Sequence, residues 1–262
     1  MNFTPKETNF ATTVKKIIKE CKDNPHEPIS VNKIVESENC EKRRLYDLFN
    51  VLCAVGLCTK TMHKLYLWNG DENMLRTIQQ EYERVESLVI SRDMWDIFKM
   101  PESPPIGQLT LAIILVYLFF GTEEMTLKQI CLIMTQKRSK MNRLLRRLYL
   151  AAFFLEQIGV ITHASHIGSY KLAIDTETII STAFADMKAR YVFPIDSIAS
   201  QLATIDNNYL DGIKATRKEL LIQKMKASHI SVANGFTHEV EQDQDQELSP
   251  DPLSPVKMIE LY

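Results

Sequence analysis

Glu41-Lys42-Arg43-Arg44-Leu45-Tyr46-Asp47-Leu48-Phe49-Asn50-Val51-Leu52, closed by Val55-Gly56, is the stretch from which the rest of the chain can be read. Leu45, Leu48, Leu52 and Val55 recur at spacings of three and four, which puts them on one face of a helix. Gly56 suits a left-handed turn that ends it. Two adjacent arginines open the helix, and Asp47 follows one turn later on their side. Part of this string returns about a hundred residues on. Arg43-Arg44-Leu45-Tyr46 recurs as Arg146-Arg147-Leu148-Tyr149, and at the same offset Leu52 matches Leu155, Gly56 matches Gly159 and Thr59 matches Thr162. Seven identities without a gap imply two copies of one unit.

Each copy has the same grammar. Upstream of the first string, Asn9 to Cys21 forms an amphipathic helix with Val14, Ile17 and Ile18 on its apolar face, and Pro25 and Pro28 break it. Ser30 is expected to cap a short helix through Val35, and Asn39 a longer one from Cys40 to about Val55. Leu57 to Trp68 alternates as a hairpin does, turning around Met62-His63-Lys64. The second copy has a helix near Ile106 to Phe120, then the capping-box pattern Thr126-Leu127-Lys128-Gln129. A helix from Lys140 to Ile158 follows, with Gly159 as its stop, and a hairpin from Val160 to Ile174 turns at Gly168-Ser169. Three helices and a terminal hairpin make a winged helix.

The expected fold is therefore mainly α with short β-hairpins, an α+β class. Residues 1–70 are a winged-helix domain and 71–103 a helical acidic linker, with Leu75, Ile78, Tyr82 and Val85 on one face. Residues 104–175 form a second, degenerate winged helix, 176–226 a helical extension interrupted at Gly212, and 227–262 a disordered acidic tail.

Composition narrows the function. The 262 residues are 45% hydrophobic and 24% charged, as in globular proteins, with a net charge of −2. That balance is uneven along the chain: residues 1–70 and 104–175 are net basic, and 71–103 and 237–262 net acidic. Local basic surfaces of this kind suit nucleic acid. The five cysteines are scattered and contain no CxxC pair, so a reducing, intracellular setting is expected rather than a disulfide scaffold. The longest apolar run, Leu109 to Phe120, is shorter than a bilayer span, and no membrane partner is expected. There is no Gly-rich phosphate loop, no metal-spaced His/Cys cluster and no nucleophile motif. No enzyme activity, cofactor, catalytic residue or metal ligand is therefore expected. His63, His163 and His166 read as exposed residues of the hairpins.

The paired arginines carry the chemistry. A guanidinium fork matches the two acceptors on the major-groove edge of guanine. Arg43 and Arg44 are the candidate base readers, and Asp47 would hold a guanidinium in one rotamer. Tyr46 offers a ring to the helix packing and a hydroxyl to a phosphate, while Lys42, Lys60 and Lys64 would neutralise the backbone. In the second copy the weaker candidates are Lys140, Arg146, Arg147 and Tyr149. Leu150 stands where the first copy has Asp47, so these arginines lack the orienting carboxylate.

The string from Glu41 to Leu52, with Gly56-Leu57 and a hairpin ending Leu67-Trp68-Asn69-Gly70, resembles the DNA-binding domain of the E-two-F/DP cell-cycle transcription factors. That family carries Arg-Arg-x-Tyr-Asp followed by Asn-Val-Leu and a wing ending near Trp-x-Gly. Lys140 and Arg146 to Tyr149 resemble the same family more faintly, and two such domains in tandem resemble its atypical branch. The resemblance implies a nuclear, sequence-specific regulator of transcription that binds double-stranded DNA at GC-rich cell-cycle promoter elements, with or without a DP-like winged-helix partner chain. A reading from another class stays open: a winged-helix interaction module in a larger complex, without base-specific DNA binding. In the tail, Ser254-Pro255-Val256-Lys257 resembles a proline-directed phosphorylation site, and Ser249-Pro250 is a weaker one.

Overall fold

The computed structural model describes residues 10–61, 65–89, 91–135, 141–166, 168–190 and 207–228. The chain opens with α1 (Phe10–Asp23), α2 (Val31–Glu38) and α3 (Lys42–Ala54), followed by an antiparallel pair, β1 (Cys58–Lys60) and β2 (Tyr66–Trp68). The periodic residues do what their spacing implies. Val14, Ile17, Ile18 and Cys21 of α1 meet Leu45, Leu48 and Leu52 of α3 in one buried cluster. Phe49 stacks on Tyr66 of the hairpin at 4.4 Å. Gly56 has φ +85°, the left-handed turn expected after α3. The Asn39 expectation is corrected. Asn39 ends α2, with φ +49° and its backbone N–H donating to the Val35 carbonyl, and Glu41 is the residue that precedes α3. Asparagine tolerates the left-handed region better than most side chains, so it serves a stop as readily as a start.

The second copy repeats this order. It runs α4 (Asp71–Leu88) and the short α5 (Met94–Ile97) as approach, then α6 (Ile106–Phe120), β3 (Met125–Thr126), α7 (Leu127–Thr135), α8 (Met141–Gln157), β4 (Ile161–His163) and β5 (Ser169–Leu172). The strands form an antiparallel sheet ordered β3-β5-β4. In the first copy the bridge Ile29↔Tyr66 stands where β3 pairs with β5. The capping box is formed in full: the Thr126 backbone N–H donates to Gln129 Oε1 at 2.8 Å and the Gln129 N–H to Thr126 Oγ1 at 3.2 Å. Tyr117, buried in α6, donates its hydroxyl to the Tyr170 carbonyl at 2.7 Å, which ties the helix to the sheet.

The two units are packed together. The third helix of each lies against the first helix of the other, α3 on α6 and α8 on α1. Phe10 of α1 stacks on Phe153 (6.0 Å) and meets Phe154 edge-on (6.2 Å). At the other crossing a side chain on Gly107 would run into Ala54 Cβ and the Asn50 carbonyl, so only glycine lets α6 come this close to α3.

Residues 71–88 are helical but are no exposed spacer. α4 packs on α6 and on α9 (Thr176–Arg190), and its buried face is Met74, Ile78, Tyr82 and Val85. Leu75, expected on that face, is 40% exposed, because it lies about 100° round the helix from Met74. Two acids of α4 are buried and paired, Glu83 with an exposed arginine and Glu86 with a buried one. Glu83 pairs with Arg190 at 2.7 Å, and Glu86 accepts both terminal nitrogens of Arg217 at 2.6 and 2.8 Å. Arg217 belongs to α10 (Asn207–Ala227), which runs unbroken through Gly212 and docks on α6. Its guanidinium also sits 3.8 Å over the Phe119 ring. Sequence pattern does not foresee this clamp, since neither residue belongs to a periodic apolar stripe. Burial raises the Tyr82 hydroxyl pKa, and the adjacent Glu86 carboxylate raises it further.

Arg217→Ala should leave Glu86 buried and unpaired and cost about 3–5 kcal/mol. Replacing both residues with methionine should cost far less, because no buried charge is then stranded. Urea unfolding of the two variants checks the order.

Candidate nucleic-acid interface

The first turns of α3 gather the candidate residues. Lys42 and Arg43 are exposed, while Arg44 lies partly buried between Glu41 and Asp47, each with an oxygen 3.8 Å from a guanidinium nitrogen. At that separation the attraction is electrostatic rather than a hydrogen bond. It restrains Arg44 without using up its donors. Tyr46 is half-buried and its ring packs against the core. Lys60 is exposed on β1. Lys64, Lys140 and Ser254 lie outside the described residues, as do His63 and the tail from 229 onward.

Asp47 has an unforeseen neighbour. Burial raises its carboxyl pKa above the ordinary value, and the charges of Arg44, Arg43 and Arg147 pull against that rise without overcoming it. Arg147 comes from α8, which lies beside α3. The second string lacks an acid of its own at Leu150, yet the fold brings the first copy's carboxylate into the field of Arg147. Both arginines of the first pair and Arg147 of the second therefore act on one acid. Sequence spacing cannot show this, because it reports neighbours on a helix and not across an interface.

Arg147 has a second partner. Its guanidinium donates to Ser103 Oγ at 3.0 Å, and one turn earlier Arg143 pairs with Glu102 at 3.2 Å. Both partners lie in the irregular segment from Lys99 to Pro105 that leads into α6. Arg146 and Tyr149 are exposed on the same helix, Tyr149 by 38%. The pairing of Glu102 with Arg143 and of Ser103 with Arg147 has no sequence signal; the Pro101 and Pro104-Pro105 punctuation marks a boundary there.

In the second hairpin His163 packs edge-on against Tyr170 at 4.6 Å, and His166 Nδ1 lies 2.7 Å from Glu124. Both histidines are exposed. Burial pushes the Cys21 and Cys131 thiols up to about 12, and Cys58 upward as well, which suits packing rather than nucleophilic chemistry. Among the described residues no group of His, Cys, Asp or Glu is placed to hold a metal ion, and no helix is long and apolar enough to cross a membrane.

Residues 6–70 match the E-two-F/DP family winged-helix DNA-binding domain. No curated protein and no solved structure matches the chain.

The raised Asp47 pKa has a consequence for stability. Between the ordinary aspartate value of about 3.9 and the raised native value, the folded protein holds a proton that the unfolded chain has lost. Stability falls as pH rises through that window, and the penalty persists above it. Asp47→Asn carries no such penalty. Its stability relative to wild type should therefore be lowest below about pH 3.9 and rise toward neutrality. Urea midpoints at several pH values test the sign, and a relative stability that falls with rising pH would contradict it.

Proposed function

The chain carries a winged-helix DNA-binding domain of the E-two-F/DP family, the domain of a DNA-binding regulator of transcription, and from that premise we propose a nuclear protein that reads a GC-rich, cell-cycle-type promoter element in double-stranded DNA with both of its units at once. The observation that carries this reading is the meeting of α3 and α8, with Arg147 of one unit acting on Asp47 of the other. A single recognition helix contacts few bases. Two helices fixed side by side present Lys42, Arg43, Arg44, Arg146 and Arg147 as one cationic surface, and a DP-like partner chain is then not required.

In this mechanism, phosphates draw the duplex in through Lys42, Lys60 and Lys64, a contribution that is sequence-independent and salt-dependent. Arg43 then sets its fork against guanine N7 and O6. Asp47 holds Arg44 ready, which reduces the rotamer entropy lost on contact. Tyr46 turns its hydroxyl toward a phosphate while its ring stays in the packing. In the second unit Arg146 and Arg147 reach the backbone or a neighbouring base, Tyr149 stands beside them on the same helix, and Lys140 adds positive charge. Nothing in this mechanism calls for a cofactor or a chemical step.

One feature favours the alternative of a protein-interaction module for the second unit. Glu102 and Ser103 already occupy Arg143 and Arg147. Duplex titrations across salt concentrations separate the readings. Arg43→Ala should cost about 1–3 kcal/mol and relax preference at one GC pair, whereas Lys60→Ala should weaken all duplexes alike and lower the salt slope by about 1. Sedimentation should find one chain per site. Two chains per site, or an Arg43→Ala variant with unchanged affinity and preference, would overturn the proposal.

A further inference from the structure

We propose that Ser103 is a phosphorylation site whose phosphate locks Arg147 and so withdraws the second unit from DNA; the regulatory part rests on the function proposed above. Ser103 is exposed, lies in an irregular segment and is followed by Pro104, the context a proline-directed serine kinase reads. Its hydroxyl oxygen is already 3.0 Å from Arg147, and Arg143 stands one turn away on the same helix, paired with Glu102.

The segment holds Ser103 in place from both ends. The Met100 backbone N–H donates to the Met134 carbonyl at 3.0 Å, and Pro105 leads directly into α6, with its carbonyl accepting from Leu109. Between these anchors, among the described residues, the segment is held by the burial of Pro104 and by the Glu102 and Ser103 side-chain contacts. The Arg143–Glu102 pair is mostly exposed, at 74% and 66%, and such pairs are weak. Pro104 is buried, so the kinase must lift the segment locally, against that burial and the weak side-chain ties. In the reaction the γ-phosphoryl group of ATP passes to Ser103 Oγ. The new bond is oxygen to phosphorus, the bond from phosphorus to the bridging oxygen of ADP breaks, and the hydroxyl proton leaves to the kinase's base.

The product changes the local balance. A hydroxyl that accepted one hydrogen bond becomes a group of about −1.5 to −2 charge with three acceptor oxygens, which an arginine fork grips in bidentate fashion. Arg147 then faces a fixed phosphate where it would face a mobile one on DNA. Arg143 is drawn to the same group, and Glu102, now beside a like charge, loses its hold on it. Asp47, close enough to act on Arg147, adds repulsion against any further anion. The second unit is left neutral or acidic where its recognition helix would approach the duplex.

The test uses the full chain carrying T4A, S249A and S254A, which leaves Ser103 as the one serine or threonine before a proline. It is treated with a purified proline-directed kinase and ATP. Mass spectrometry should find phosphate on Ser103, and none when S103A is added. Titration followed by phosphorus NMR should give a second phosphate pKa below the value of about 6 for an unpaired phosphoserine, restored toward it by R147Q. Affinity for a GC-rich duplex should fall about tenfold on phosphorylation, with the salt slope reduced by about 1–2 as the cations are withdrawn. No incorporation at Ser103, a peptide-like phosphate pKa, or unchanged duplex affinity would each overturn the proposal. If the unmodified chain binds no duplex, the DNA-binding reading fails and the regulation fails with it. The modification and its Arg147 contact are still decided by the mass and the phosphorus titration.

Discussion

At Gly107 the backbone of α6 comes so near to α3 that a single Cβ would strike Ala54 and the Asn50 carbonyl. Much of the molecule depends on that approach. It brings α6, the most apolar of the described helices, against α3, and so fuses two small cores into one cluster. A 60-residue domain buries only a modest part of its surface and is correspondingly marginal. Fusion removes that limit for both units. α8 packs on α6 as well as on α3, so the same approach settles how the two helices lie beside each other.

The supporting elements hold this arrangement with buried charge as well as apolar surface. α4 places Glu83 and Glu86 inward, and α9 and α10 each return an arginine to them. Such pairs add little net stability over a hydrophobic alternative, because desolvation cancels much of the attraction. They do penalise any arrangement in which a partner is missing. Arg217 reaches Glu86, the Phe119 carbonyl and the Phe119 ring together, so sliding α10 along α6 strands a charge in the interior. Packing alone would tolerate such a slide more readily.

What the sequence reveals follows from how far each signal reaches along the chain. Helical periodicity and capping chemistry act over a few residues, and α1, α3, α6, the Thr126–Gln129 box and both hairpins are legible from them. So is the repeat, which needs only two strings to be compared. Pattern misplaces Asn39 because the same residue type serves a start and a stop, and only backbone geometry separates the two. It puts Leu75 on the wrong side because two apolar neighbours, Met74 and Leu75, compete for one stripe. The Arg217–Glu86 clamp, the Arg147–Ser103 contact and the influence of Arg147 on Asp47 join residues 44 to 131 positions apart. No local pattern marks them.

Carrying both units on one chain alters the thermodynamics of recognition as well as the count of subunits. When two separate winged helices assemble on DNA, each loses translational and rotational freedom at the moment of binding. Joining them by a flexible tether would replace part of that loss with an effective concentration set by the tether's length. Here α4 is no tether. It is packed against α6 and α9 along its buried face, so the relative position of the units is settled when the chain folds. If both units read DNA together, as proposed, the association term is removed from the binding step, and the same rigidity narrows the set of half-site spacings the surface can match. Affinity gained this way comes with geometric selectivity, because a duplex whose two half-sites sit at another phase cannot be met by adjusting a linker. Asp47 works in the same direction: displacing Arg147 would leave the half-buried carboxylate with one cation fewer around it. Specificity in such a design resides as much in the interface between the units as in the side chains that face the bases.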